Sequence, residues 1–313
     1  MEENEASSEP DRWATQVLGR LRDALINRSL AVIVGTGVTL NATAESSGKP
    51  LQRLTWTGLI QNGLDYLVCQ KCIDPSSDKK IRAEKALKVS DTNSLLEAAN
   101  ILKSLLDEHG KFPTWLGTVF CGLHEEIRHP EILDALQALH EKGVPLLTTN
   151  YDEILEHHCK IPRIRPSDAD DGLKFMRGDL DGVFHVHGSY NDPRDVVLDT
   201  TDYLRVKSSE SVQEVLKFFL MGKTVLFIGC GSGLEDPNFD SLLKWAAERY
   251  KNIRDRHSFL VRDDDNRAYR PLVRVSYGKK HEDLSKYLQQ LMIRPAQKAN
   301  SPITQPVKPP KAK

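Results

Sequence analysis

Val144-Pro145-Leu146-Leu147-Thr148-Thr149-Asn150-Tyr151-Asp152 opens as a short apolar run and closes on polar side chains. A run of that length bounded by turn residues reads as a buried β-strand with chemistry at its end. The form recurs downstream, where Val183 to Val186 run into His187-Gly188-Ser189, and upstream, where Ala31-Val32-Ile33-Val34 run into Gly35-Thr36-Gly37. Polar groups at the ends of buried parallel strands stand where open α/β sheets place their ligand crevice.

Working outward, strand patterns are expected at 144–149, 182–187, 195–198, 224–229, 258–261 and 272–276, with helical segments between several of them. Trp13, Val17, Leu18, Leu21 and Leu25 recur at helical spacing, so a helix is expected ahead of the first strand. From Thr55 to His140 the pattern is almost wholly helical. One stripe is Leu59, Ile60, Leu64, Leu67 and Val68, a second runs from Leu95 to Leu106, and a third holds Ile132, Leu133, Leu136 and Leu139, closed by Gly143 as a C-cap. Asp74 to Lys80 is a polar break. Pro237 is expected to open a helix carrying Phe239, Leu242, Leu243 and Ala246. The expected fold is a doubly wound, Rossmann-like parallel α/β sheet with a helical insertion subdomain and ligand between the layers. Its parts are an N-terminal helical extension (1–28), the main domain (29–293, insertion about 54–142) and a Pro-, Lys- and Gln-rich disordered tail (294–313).

Composition excludes several classes. A net charge of −1 with 28% charged residues gives no general attraction to nucleic acid or to anionic lipid. No apolar run reaches the ~18–20 residues that span a bilayer. The acidic start, Met1 to Asp11, is unlike a secretory signal, and five scattered cysteines suit a reducing compartment. A cytoplasmic protein is expected; the basic end, Lys308 to Lys313, reads as solvated linker, with a nuclear address as the alternative. Cys69-Gln70-Lys71-Cys72 has zinc-ligand spacing, but no second pair follows to complete four ligands, so no metal is expected.

Gly35-Thr36-Gly37 is a fragment of a dinucleotide fingerprint lacking its third glycine. It reads either as a tight turn or as a loop whose Gly37 and Val38 N–H groups face phosphate. Asn150 is a candidate helix N-cap, or an amide that holds ribose hydroxyls and a water. Asp152 caps the same helix or meets a carboxamide. His185 and His187 are expected to face opposite ways, His187 as general base and His185 as structural; Gly188 would let substrate approach the backbone. Gly229-Cys230-Gly231-Ser232-Gly233 is a second glycine-rich strand end, a turn or a contact for the adenosine half, with Cys230 a buried neighbour and not a nucleophile. Tyr277, after the last strand, is a candidate to flank adenine.

Together, Gly-Thr-Gly-Val-Thr (35–39), Trp56, Leu-Thr-Thr-Asn-Tyr-Asp (147–152), His-Val-His-Gly (185–188) and Phe-Ile-Gly-Cys-Gly (227–231) resemble the zinc-less branch of the sirtuin-like family. That branch includes bacterial anti-phage NADases and related animal and fungal proteins. The resemblance spans roughly Leu30 to Leu291. It implies NAD as substrate, with Asn150 at the nicotinamide ribose, His187 catalytic, Gly35 and Gly37 in the phosphate loop and Ser232 in a cofactor loop. Between Gly188 and Thr224 there is no cysteine, and the loop Val38 to Arg53 has no clear match to the family's Asp-Phe-Arg element. Both departures weaken a peptide-deacylase reading. The expectation is an NAD hydrolase releasing nicotinamide and ADP-ribose, regulated by homo-oligomer or filament assembly. Its alternatives are an NAD-dependent deacylase or ADP-ribosyltransferase and a weakly active NAD-binding assembly module. NAD and NADP are not separated, since Arg262, Arg274 and Lys279 are all candidate partners for a 2′-phosphate.

Overall fold

The computed structural model describes residues 9–89, 91–231, 241–244, 246, 248 and 256–293. Seven strands, β1 (Leu30–Val34), β2 (Leu146–Thr148), β3 (Arg163–Ile164), β4 (Val183–His185), β5 (Thr224–Ile228), β6 (Ser258–Val261) and β7 (Val273–Ser276), form one sheet in the order β3-β4-β2-β1-β5-β6-β7. Every pairing is parallel. The helices are α1 (Glu9–Ile26), α2 (Thr36–Ala42), α3 (Trp56–Cys69), α4 (Asp78–Val89), α5 (Thr92–Glu108), α6 (Phe112–Phe120), α7 (Glu131–His140), α8 (Ile154–Cys159), α9 (Ala169–Arg177), α10 (Thr200–Ser208), α11 (Glu210–Gly222) and α12 (Asp283–Met292).

The central strand shows why the sheet is parallel and covered on both sides. All five residues of β1 are buried. Leu30, Val32 and Val34 join a core built with α3, α5 and α7, whereas Ala31 and Ile33 join a second core with Phe175 of α9 and Leu216 and Phe219 of α11. Each buried Leu or Phe contributes roughly 1.5–3 kcal/mol, so neither face of the strand tolerates a polar substitution. Helices α2 to α7 all lie in the connection from β1 to β2.

Register sets the site. Val34 pairs with Thr148 and with Ile228, and Thr148 pairs with His185, so β1, β2, β4 and β5 end on one level row. From β1 the chain turns to β2 on one side, and it returns to β5 on the other. The segments leaving these strand ends therefore part to opposite sides, and a crevice opens above β1.

Two strand expectations need correction. Val196-Val197-Leu198 is no strand: its side chains are buried, Val196 and Leu198 in one core and Val197 in the other, but its backbone joins no ladder. Apolarity there serves packing of a loop. Conversely, β3 escaped notice because Arg163-Ile164 is too short to show a pattern. The expected helix opening at Pro237 starts outside the described residues, as does the tail; Leu242, Leu243 and Ala246 are buried. Among the described residues, no helix is long and apolar enough to cross a membrane.

Candidate functional site

One wall of the crevice is made of backbone. The Gly35 N–H donates to the Ile228 carbonyl (2.8 Å), the Gly37 N–H to the Gly229 carbonyl (2.8 Å) and the Val38 N–H to the Gly35 carbonyl (3.0 Å). A Cβ on Gly37 would sit 2.7 Å from the Gly229 oxygen, and Gly229 itself adopts a φ of +68°. These glycines are needed because the turns after β1 and β5 cross within van der Waals distance. The Gly37 and Val38 N–H groups are expected from the sequence to face a phosphate; in the structure Gly37 donates across to the turn after β5 and Val38 donates within its own turn. Val38 is buried, and Gly35 packs on Cys230, so neither belongs to the crevice wall. Burial pushes the Cys230 thiol up to about 12, which removes it as a nucleophile.

The opposite wall is made of side-chain hydrogen bonds. The Thr148 hydroxyl donates to the Val34 carbonyl (3.0 Å) and accepts from the Asn150 N–H (3.0 Å), which holds the end of β2 against β1. Asn150 then sends its amide toward α2: Nδ2 donates to Thr39 Oγ1 (3.0 Å), and Oδ1 lies 3.4 Å from the Thr36 hydroxyl. It does not cap α8. Nor does Glu153, the N-cap residue; Asp152, just before it, accepts the first helical N–H, that of Ile154, at Oδ1 (3.2 Å) while Oδ2 accepts from Thr39 (2.8 Å). Burial raises the Asp152 carboxyl to about 6, against the opposing pull of the Thr39 hydrogen bond.

The histidines part company where β4 ends. Strict alternation would put residues 185 and 187 on one face of a strand. Yet β4 stops at His185, and a turn at Val186 and His187 re-aims the second ring. His187 meets Tyr203 of α10 edge-to-face, with centroids 5.9 Å apart. His185 is wholly buried, with Nε2 2.5 Å from Glu156 Oε1 on α8. Gly188 corrects a further expectation. A Cβ there would lie 2.3 Å from the Asp195 carbonyl carbon, so the glycine lets the chain cross its own loop and does not make room for substrate. That loop is pinned from below by Arg163, which pairs with Glu153 and with Asp192 (2.8 Å); Glu153 also accepts from Ser189 (2.5 Å) and Asn191 (2.9 Å). Burial works to raise the Glu153 carboxyl, but those partners hold it below its usual range.

Between the walls lies a cavity of about 310 Å³. Asn150, Asp152 and His187 line it together with Thr36, Gly37, Gly229 and Gly231; Leu40, Leu54, Trp56, Leu59, Phe120, Tyr151 and Tyr203 supply the apolar remainder. That volume is at the lower end of the roughly 300–1,000 Å³ usual for ligand pockets. Among the described residues its wall carries no lysine or arginine. Ser232 lies outside the described residues. Tyr277 is not in the wall: it follows β7, two strands beyond β5, and its hydroxyl lies 3.3 Å from His281 Nδ1. Arg262 pairs with Asp264, and Arg274 donates to the carbonyls of Asp265, Arg262 and Asp263, so these cations are spent on their own loop.

Sequence reading missed Tyr203, Thr92, Phe120 and Thr39. Tyr203 has a signal in hindsight: Asp199 and Asp202 form a capping box that starts α10 and fixes the ring one helical turn in. Thr39 carried none, since its worth lies in joining Asn150 to Asp152 across 111 and 113 residues of chain. Cys69 is exposed and Cys72 half-buried at the end of α3; among the described residues no group of three or more His, Cys, Asp or Glu is placed to hold a metal ion.

Residues 145–295 match the family model of the SIR2-like domain. The match starts at the edge of β2 and takes in the Asn150 and His187 wall; β1, its glycine turn and helices α2 to α7 precede it.

Proposed function

From the premise that the chain carries a sirtuin-like domain, we propose that it hydrolyses NAD at the nicotinamide N-glycosidic bond, giving nicotinamide, ADP-ribose and a proton. One observation supports this reading above the rest: an amide and an imidazole from neighbouring strand ends, Asn150 and His187, line the same cavity beside a buried carboxyl, Asp152.

The chemistry asks little acid catalysis of the protein. Nicotinamide is bonded to ribose as a pyridinium cation and leaves as a neutral molecule, so the broken C–N bond needs no proton. The ribose C1′ becomes electron-poor, as in O-glycoside cleavage, and the site must stabilise that charge and deliver water. The Asn150 amide, with one donor and one acceptor group, orients a ribose hydroxyl and the water. His187 takes the proton as the water oxygen bonds to C1′. Asp152, ionised above a pH of about 6, places negative charge against the developing cation. Trp56, Leu59 and Phe120 exclude bulk water from the reacting face.

The test is product analysis with purified protein and NAD. Nicotinamide and ADP-ribose are expected in equal amounts, and His187→Ala and Asn150→Ala are each expected to lower kcat by ~10²–10⁴-fold. Wild-type turnover in both variants would remove the assignment. Nicotinamide release that appears only with an acylated peptide would replace hydrolysis by group transfer.

A further inference from the structure

Past the row Thr148–His185, the main-chain ladder between β2 and β4 runs out: its last bond is from the Val186 N–H to the Thr148 carbonyl (2.8 Å). Asn150 and His187 both lie beyond it, where parallel strands hold nothing in register. Farther out, Glu153 accepts from Ser189 and Asn191 and the Tyr151 hydroxyl donates to the Val197 carbonyl; nearer the strand ends, two ties reach the main chain. One is the Tyr190 N–H donating to the Tyr151 carbonyl (2.9 Å). The other is the His185 ring, whose Nδ1 lies 3.1 Å from the Asn150 carbonyl oxygen and 3.2 Å from that of Gly188. Its Nε2 is 2.5 Å from the Glu156 carboxylate.

We infer that the buried His185–Glu156 pair is the positioning device of the site, a bracket that joins the backbone of Asn150 to the backbone beside His187 and so sets the spacing of the two reacting groups. The inference rests on the hydrolase reading above for its consequence, though not for its geometry.

Three acceptors surround this ring, and that decides its state. Two carbonyl oxygens at Nδ1 require an N–H there, and a carboxylate at Nε2 requires a second proton on that line. Burial alone pushes the imidazole down, but the charge and hydrogen bond of Glu156, helped by the Gly188 carbonyl and the Asp152 charge, carry it above its ordinary value. The ring thus keeps its Nδ1 proton directed at both carbonyls. A buried ion pair adds little net stability over a well-packed apolar pair, because desolvation offsets the attraction. What it supplies here is direction: one planar ring holding two carbonyls that no ladder holds.

Two double variants separate placement from mere folding. His185→Asn with Glu156→Gln keeps an N–H at the Nδ1 position and leaves no charge buried. His185→Leu with Glu156→Gln fills the space without a donor. The asparagine double is expected to exceed the leucine double by ~30–100-fold in kcat, while their KM values for NAD and their melting temperatures stay close. Equal kcat values, or a difference carried wholly by KM, would overturn the inference. A readout independent of turnover comes from NMR of the same proteins. The Asn150 side-chain amide and His187 ring resonances should stay near wild type in the asparagine double and move in the leucine double. Resonances unmoved in both overturn the bracket. If wild type releases no nicotinamide, the hydrolase reading alone falls, and these spectra still judge the bracket.

Discussion

The two walls of the cavity are built on different principles. On the β1–β5 side, backbone meets backbone: Gly37 and Gly229 interlock with no side chain between them, and the wall's shape is a matter of sterics. On the β2 side, Asn150 and Asp152 from the strand end are joined to Thr36 and Thr39 of α2, and these hydrogen bonds hold the geometry. The first wall can be broken only by adding atoms and the second only by removing them. Stability should therefore report on one and chemistry on the other.

The largest effect is expected on the polar wall. His187→Ala and Asn150→Ala should lose ~10²–10⁴-fold in kcat, and His187→Ala should retain a melting temperature close to wild type. If either variant unfolds instead, the wall is structural and the contrast fails. Next comes Asp152. Its folded value of about 6 lies above the ordinary 3.8, so the folded protein binds this proton more tightly than the unfolded chain between those limits. Its contribution to stability is therefore gained as pH falls from about 6 toward 4, by up to ~3 kcal/mol, and is absent at pH 7. Urea unfolding at pH 7 and pH 5 measures this directly. Wild type should gain on Asp152→Asn as the pH drops, and a constant difference would place the carboxyl in contact with water.

Gly37→Ala tests the backbone wall. With a Cβ 2.7 Å from the Gly229 oxygen, the turns must separate, at a cost of about 1–3 kcal/mol read in the denaturation midpoint. An alanine variant as stable as wild type would mean that the two turns slide apart without penalty. A smaller change is expected for Trp56→Ala, which removes an apolar part of the cavity wall without touching the polar chain: KM for NAD should rise several-fold, with kcat less affected. Smallest of all, Cys69→Ser, at an exposed position, should leave activity and stability within about 0.5 kcal/mol of wild type, as surface changes do.

The same contrast explains what could be read from the sequence. All strands but the two-residue β3 were legible, β1 and β5 most plainly, because each is an almost wholly apolar run followed by a glycine. Asn150 and His187 were legible as polar residues at strand ends, a position with a physical meaning in this class of fold. What glycines do there was not legible. Gly188 looks like room for a ligand and is instead filled by Asp195, while Gly37 and Gly229 line the cavity but owe their missing Cβ atoms to each other's turn. A sequence shows that a Cβ is missing but not which neighbour needs the space. Nor could it assign His185 its bracket, because the two carbonyls it holds are brought together only by β2–β4 pairing.

In the proposed reaction Asn150 and His187 act on one sugar. A crystal structure of the protein with ADP-ribose tests it most directly. The ribose that carried nicotinamide should lie in the cavity with its hydroxyls within about 3.2 Å of the Asn150 amide and with C1′ open toward His187. A ribose bound elsewhere, or one held in the cavity while either side chain points away from it, would contradict the claim.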